Sequence, residues 1–166
     1  MSQANQLVPT QSQQLIYSLL IGQGYPDLFS KLVTAQSGHE TNGWTSPVYE
    51  NNNNAFGYGY TGTSYKNYPD VESSVYDVSG YIDRKVSSGV FPDPSDITTA
   101  DQWAQLLASV GYYTDYESVY SSGIARWFND NLTVIATVAT VSGGMIIFTL
   151  LIMYFLTFGN KHTSYH

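Results

Sequence analysis

Cysteine is absent from the 166-residue chain, which excludes disulfides and thiolate metal ligands alike. Histidine is nearly absent: His39, His162 and His166 are the complete set, and two of them lie at the C-terminal end. A multi-histidine metal site is therefore not expected, and no cofactor is implied. Charge is scarce at 11% of residues and lopsided in sign, with 6 bases against 13 acids and a net charge of -7. So few cations do not make the basic face that nucleic-acid phosphates require. No G-x-S-x-G, P-loop or H-E-x-x-H pattern occurs, which removes the familiar hydrolase-elbow, nucleotide and zinc-hydrolase signatures. Asp93, Asp96 and Asp101 are scattered among Pro and Thr as caps and turns, not as calcium ligands.

One long apolar stretch also lacks charge. Residues 132–158, from Leu132 to Phe158, are mostly Val, Ile, Leu, Phe, Ala and Thr. As a helix rising ~1.5 Å per residue this stretch reaches roughly 40 Å, more than the ~30 Å hydrocarbon core of a bilayer, and it predicts one transmembrane helix. Gly143-Gly144 at its middle allows a close helix approach or a slight kink. Lys161 follows the span, with Asp130 and Arg126 before it, so the positive-inside rule puts the tail in the cytoplasm and the preceding domain outside. Residues 1–14 are polar and uncharged and do not read as a signal peptide. Asn131-Leu132-Thr133 matches a glycosylation sequon but abuts the predicted span.

What the chain has in quantity is tyrosine, fifteen residues of it. A tyrosine ring offers a flat apolar face with a polar tip, suited to sugar rings, to crowded interfaces or simply to a core. Helical periodicity accounts for most of the rest. Gln11–Gly22 carries Leu15, Ile16, Leu19 and Leu20; Pro26 opens a second helix containing Phe29, Leu32, Val33 and Ala35. Residues 42–69 are rich in Gly, Asn, Tyr and Thr and read as a loop with a small hairpin. Asp70 is placed to cap a helix through Val71, Val75, Val78 and Ile82. Thr99-Ala100-Asp101-Gln102 has capping-box spacing, and Thr114-Asp115-Tyr116-Glu117 repeats it before Val119, Ile124 and Trp127.

Glu40 stands out in the second helix. Phe29, Val33, Gln36 and Glu40 share one helical face, so this carboxyl ends a stripe that points at the core. Burial beside Trp44 is expected to raise its pKa and keep a proton available near neutral pH, as a glycosidase general acid needs. A helix-end glutamate in water fits the same spacing, and periodicity leaves both readings open. His39 lies about 100° round the helix from Glu40, so a His–Glu dyad is not expected.

The ordered motifs narrow the choice. Ala35-Gln36-x-x-x-Glu40-Thr41-x-Gly43-Trp44-x-Ser46, then Asn53-Asn54-Ala55-Phe56-Gly57-Tyr58, resembles the signature of bacterial glucosaminidases. These are peptidoglycan hydrolases of the flagellar and autolysin type with a lysozyme-like fold. Tyr68-Pro69-Asp70-Val71-Glu72-Ser73-Ser74-Val75 resembles the opening of their next helix, and Leu107-x-x-x-Gly111-Tyr112-Tyr113-Thr114-Asp115, followed by Tyr120, resembles their Gly-Tyr block. The resemblance implies that Glu40 is the catalytic acid and that Tyr112 lines the site near the substrate's acetamido group. It implies that the segment holding Asn54 and Phe56 shapes the cleft floor. Trp44, Phe56, Tyr58, Tyr60 and Tyr112 are the aromatic candidates for stacking on sugars, with Trp44 as readily a core residue. One departure is plain: many members carry a second acid on a β-lobe, whereas Thr61-Gly62-Thr63-Ser64-Tyr65-Lys66-Asn67 holds none. Glu50, Asp70 and Glu72 are the nearest substitutes, and the last two read as helix-start residues.

These readings predict a mainly α domain, of the α+β lysozyme-like type with a reduced β-lobe, plus one C-terminal transmembrane helix. Residues 1–14 form an N-terminal segment, 15–128 the catalytic domain, 132–158 the span and 159–166 a short tail. The expected activity is cleavage of the glycan β-1,4 linkage of peptidoglycan, as an N-acetylglucosaminidase ahead of a muramidase or lytic transglycosylase. The expected partners are the glycan strand and a lipid bilayer. A bacterial inner membrane with the domain facing outward suits this design. So does the internal membrane of a membrane-containing bacteriophage, where capsid proteins become partners. The rival class is a non-catalytic, membrane-tethered wall-binding or structural virion protein.

Overall fold

The computed structural model describes residues 9–113 and 116–129, and these are mainly helical, with no strand among them. Helices α1 (Pro9–Gly22), α2 (Asp27–Glu40), α3 (Pro47–Asn52), α4 (Val71–Ser87) and α5 (Ala100–Ser109) follow in order. Residues 117–129 form α6. The predicted transmembrane helix at 132–158 lies outside the described residues. Among those described, no helix is long and apolar enough to cross a membrane.

Local chemistry explains most helix starts. Asp70 accepts a hydrogen bond from the Ser73 amide at 2.7 Å and caps α4. Thr99 and Gln102 form the reciprocal capping box of α5. Ser46 caps α3, with Pro47 in its first turn. On α4 the buried residues Val71, Val75, Val78 and Ile82 make the stripe that the periodicity predicts.

Helix α2 departs from a simple stripe. Phe29, Ser30 and the whole run from Leu32 to Gly38 are buried, so nearly every face meets protein. Its polar side chains survive burial because each hydroxyl finds a carbonyl. Thr34 Oγ1 donates to the Ser30 carbonyl and Thr41 Oγ1 to the Ser37 carbonyl, both at 2.7 Å. Ser37 Oγ donates to the Ala55 carbonyl at 2.6 Å and receives the Trp44 indole N–H at 3.0 Å. Helix α1 packs against both α2 and α4, and Tyr25, just ahead of α2, donates to the Ser79 carbonyl on α4 at 3.0 Å.

The expected small hairpin does not form as strands. Gly57, Gly59 and Gly62 all have positive φ, which breaks the extended backbone that a ladder needs. The fully buried Asn54 closes this loop instead. Its Nδ2 donates to the Tyr58 and Lys66 carbonyls at 2.9 and 3.0 Å, and its Oδ1 accepts from the Phe56 and Tyr58 amides.

Helix α6 reaches α2 through missing side chains. Trp127 lies over Gly38 and Gly43, where added Cβ atoms would stand 3.1 and 2.6 Å from its ring. A Cβ on Gly123 would overlap the His39 imidazole. These close approaches set Tyr120, also on α6, beside the end of α2.

Candidate active site

Glu40 is the last residue of α2 and is half-buried. Beside it runs a groove of about 460 Å³ lined by His39, Glu40, Val48, Gly57 and five tyrosines: Tyr60, Tyr65, Tyr112, Tyr113 and Tyr120. Glu40 is the one carboxylate among these lining residues.

The hydroxyl of Tyr120 donates to Glu40 Oε1. Tyr120 is buried, its ring stacked on Tyr113 at 3.8 Å and met edge-on by His39 at 5.1 Å. Burial first, and then the Glu40 charge, push the Tyr120 phenol far above the ordinary tyrosine range. It therefore stays protonated and remains a donor. The other carboxyl oxygen, Oε2, lies toward Gly57, whose φ is +59° and whose missing Cβ would stand 3.8 Å from it.

Tyr112 forms a second wall. Its hydroxyl donates to the Phe56 carbonyl at 3.2 Å and its ring lies nearly parallel to Tyr58 at 6.3 Å. Burial first and the Glu40 charge second raise its pKa well above 10, so it too stays neutral. Tyr60 and Tyr65 pair at 4.7 Å on the loop and remain exposed, leaving aromatic faces at the groove edge.

The structure thus brings Glu40, Tyr112 and Tyr60 to one groove and sets the other candidates apart. Trp44 is 3% exposed, with its indole N–H spent on Ser37, and it offers no face to a sugar. Phe56 and Asn54 are fully buried, so they shape the floor from beneath and do not touch a ligand. Tyr58 is half-buried behind Tyr112. His39 does reach the groove, although it shares no helical face with Glu40, because the groove wraps the end of α2. Its partner there is the Tyr120 ring. The Tyr120 hydroxyl is a polar neighbour of the Glu40 carboxyl, and the Trp44 indole is not among the groove walls. Periodicity gives no sign of Tyr65 or Tyr113. Tyr120 is signalled only by its place after the Gly-Tyr block.

A carboxyl with one oxygen held by a phenol and the other turned to a tyrosine-walled groove is suited to protonating a bridging oxygen, the chemistry of glycoside hydrolases. The family follows from comparison with known proteins. Residues 25–133 match the Glucosaminidase family model, described as mannosyl-glycoprotein endo-beta-N-acetylglucosaminidase, and the chain belongs to this family. It is a glycoside hydrolase acting on glycans. No curated protein and no solved structure matches the chain.

Proposed function

We propose that this chain cleaves the β-1,4 linkage of peptidoglycan as an N-acetylglucosaminidase, with Glu40 as general acid and then general base. One observation carries the reading: a half-buried carboxyl, the one acid among the described groove-lining residues, with Oε1 held by Tyr120 and Oε2 toward Gly57. Glu40 protonates the leaving oxygen as the glycosidic bond breaks. The 2-acetamido carbonyl of the same sugar attacks the anomeric carbon in place of a second carboxylate. Glu40, now ionised, takes a proton from the water that opens the resulting ring, and the sugar leaves with retained configuration. Tyr112 borders the acetamido group in this arrangement.

The test is Glu40→Gln in the full-length chain, assayed on purified peptidoglycan. Activity should fall at least ~10³-fold, because an amide neither donates an acidic proton nor accepts one from water. Full activity in that variant refutes the proposal. Mass analysis of the released ends separates the linkages: reducing N-acetylglucosamine supports this reading, reducing muramic acid a muramidase, and anhydro ends a lytic transglycosylase. A wall-binding module without catalysis is the rival that the acid-free loop favours. It predicts binding to peptidoglycan with no clearing in a zymogram.

The apolar segment 132–158 is proposed as the membrane anchor. Tethering raises the local concentration of the domain at its substrate and offsets the mismatch between a net charge of -7 and an anionic wall. Retention of the chain in membranes after an alkaline wash supports the anchor, and release refutes it. A bacterial envelope and the internal membrane of a bacteriophage both fit this arrangement.

A further inference from the structure

A side chain that holds a reacting group is only as well placed as the element that carries it. Tyr120, whose hydroxyl donates to Glu40 Oε1, stands in the first turn of α6. The residues leading into it, Tyr116, Glu117, Ser118 and Val119, are all exposed, so apolar burial does little to fix the roll of this turn. Polar ties to α5 do more. Ser121, the next residue and about 100° further round the helix, is buried and donates to Asp101 Oδ1. Tyr113 stacks on the Tyr120 ring at 3.8 Å and donates its hydroxyl to the Ala104 carbonyl at 3.0 Å. Asp101 and Ala104 are three residues apart and share one face of α5. Trp103, between them in sequence, donates to Gln36 Oε1 on α2 at 2.9 Å. Helix α5 is thus tied to the helix that ends in Glu40, and α6 is tied to α5.

We propose that Asp101 is a positioning residue: by accepting from Ser121 it fixes the roll of α6 and, with it, the place of the Tyr120 hydroxyl at Glu40. This rests on the reading of Glu40 as the general acid. Neither Asp101 nor Ser121 is among the groove walls, so both act through Tyr120 and not on the glycan. The lever is geometric. At roughly 6 Å from a helix axis, a roll of about 10° moves a side-chain atom by about 1 Å. An error of ~1 Å at a reacting group can cost ~10²-fold in rate. The ring contacts of Tyr120, Tyr113 on its face and His39 at its edge, set the plane of the phenol. Stacking leaves a ring free to slide within that plane, whereas a hydroxyl on a carboxylate is short and directional. The Ser121–Asp101 bond therefore holds the backbone that the ring hangs from.

The experiment measures kcat and KM for reducing-end release from soluble peptidoglycan strands, together with the melting temperature, in the full-length chain. The variants are Asp101→Ala, Asp101→Asn, Ser121→Ala and Tyr120→Phe, with the Asp101→Ala/Ser121→Ala and Asp101→Ala/Tyr120→Phe doubles. Asp101→Ala and Ser121→Ala should each lower kcat ~10-fold with KM changed less than ~2-fold, and their double should lose no more than either alone. Asp101→Asn keeps an oxygen that accepts from Ser121, so its kcat should stay within ~3-fold of the unaltered chain. Both Asp101 variants lose the negative charge that the N-terminal turn of α5 favours, so both should melt lower while only Asp101→Ala loses activity. Tyr120→Phe should lower kcat ~10- to 100-fold, and Asp101→Ala should cost nothing further in that background. Equal kcat losses in Asp101→Asn and Asp101→Ala, or losses that multiply with Tyr120→Phe, overturn the proposal. So does a change in KM in place of kcat, or full activity in Tyr120→Phe. If Asp101→Ala does not fold, Ser121→Ala and its double with Tyr120→Phe decide by the same criteria. Activity that needs Glu40 but ignores Asp101 and Ser121 overturns this inference and leaves the functional reading standing. An inactive unaltered chain, or a fully active Glu40→Gln chain, overturns both.

Discussion

Replacing Gly43 by alanine isolates the contact that docks α6 against the end of α2. Gly43 has φ +70°, and alanine in the left-handed region costs about 1–2 kcal/mol. Gly111 has φ +68° with nothing within 4 Å of an added Cβ, so Gly111→Ala bears the same strain and nothing else. At Gly43 the new methyl would lie 2.6 Å from the Trp127 ring, far inside the ~3.5–4.0 Å optimum for carbon atoms. Trp127 cannot retreat toward α2, because its ring also covers Gly38 and meets Trp44 at 5.7 Å. Overpacking of this kind adds about 1–3 kcal/mol. At ~4 °C per kcal/mol for a domain of this size, Gly43→Ala should melt ~4–12 °C below Gly111→Ala. The assay is thermal unfolding of the full-length chain in mild detergent, followed by tryptophan emission, since Trp44, Trp103 and Trp127 all lie in the described domain. Adding Trp127→Leu should remove the difference between the two alanine variants. Equal melting temperatures for Gly43→Ala and Gly111→Ala refute the packing argument.

Three further outcomes follow from single contacts. Tyr60→Ala and Tyr65→Ala should each raise KM on glycan strands ~5- to 10-fold with little change in kcat, because these rings are exposed at the groove edge, 57% and 40%, and contribute about 1–1.5 kcal/mol of ground-state stacking apiece; a fall in kcat at constant KM contradicts this. The Asp27 carboxyl is held below its ordinary range by hydrogen bonds from Lys31 and Tyr17. Burial alone would raise Asp77, but hydrogen bonds from Lys66 and Tyr68 outweigh it and hold that carboxyl low as well. Depressed carboxyls stabilise the fold above the unfolded value of 3.8 and lose that contribution as pH falls through their folded values. The melting temperature should therefore drop below about pH 4, and less steeply in an Asp27→Asn/Asp77→Asn chain; parallel curves speak against these two groups. Tyr25→Phe removes bonds to the Ser79 carbonyl at 3.0 Å and to Asp83 Oδ1 at 2.5 Å. It should cost about 1–3 kcal/mol in denaturant titration, and a change under ~0.5 kcal/mol argues that the hydroxyl is dispensable.

Features set by neighbours along the chain are legible in the sequence itself. The caps at Asp70 and Thr99 depend on a side chain and an amide three residues on, and both are where the spacing puts them. Helix α3 is six residues long, too short for periodicity, although Ser46-Pro47 is a start signal in itself. The all-round burial of α2 is hidden because Ser30, Thr34 and Ser37 count as polar in any periodic reading. The hydroxyls of Thr34 and Ser37 bond to carbonyls on α2 and at Ala55, and that satisfaction becomes visible only in three dimensions. Trp44 falls in the core for a related reason: positive φ at Asn42, Gly43 and Trp44 turns the backbone sharply just after Glu40 and folds the indole back onto Ser37. Tyr120 is eighty positions from Glu40, and no local pattern reports a contact of that range.

The loop between α3 and α4 bears on the chemistry through its charges. From Gly57 to Tyr68 its only charged residue is Lys66, which is paired with Asp77 on α4 at 2.6 Å. The loop thus places no acid at the groove, and its single charge is spent at its base. Asn54 holds the segment closed through backbone carbonyls and amides, an arrangement that is indifferent to what the outward side chains are. Those side chains are Tyr60 and Tyr65, neutral and aromatic. A second carboxylate close to Glu40 would also meet repulsion that a half-buried site screens poorly, and each group would hinder the ionisation of its partner. A groove with one acid among its described lining residues, a phenol that stays protonated and neutral aromatic walls supports the proposed mechanism, in which the sugar brings its own nucleophile. The 2-acetamido group does so, and this is the physical reason for favouring an N-acetylated glycan over a plain one as the substrate.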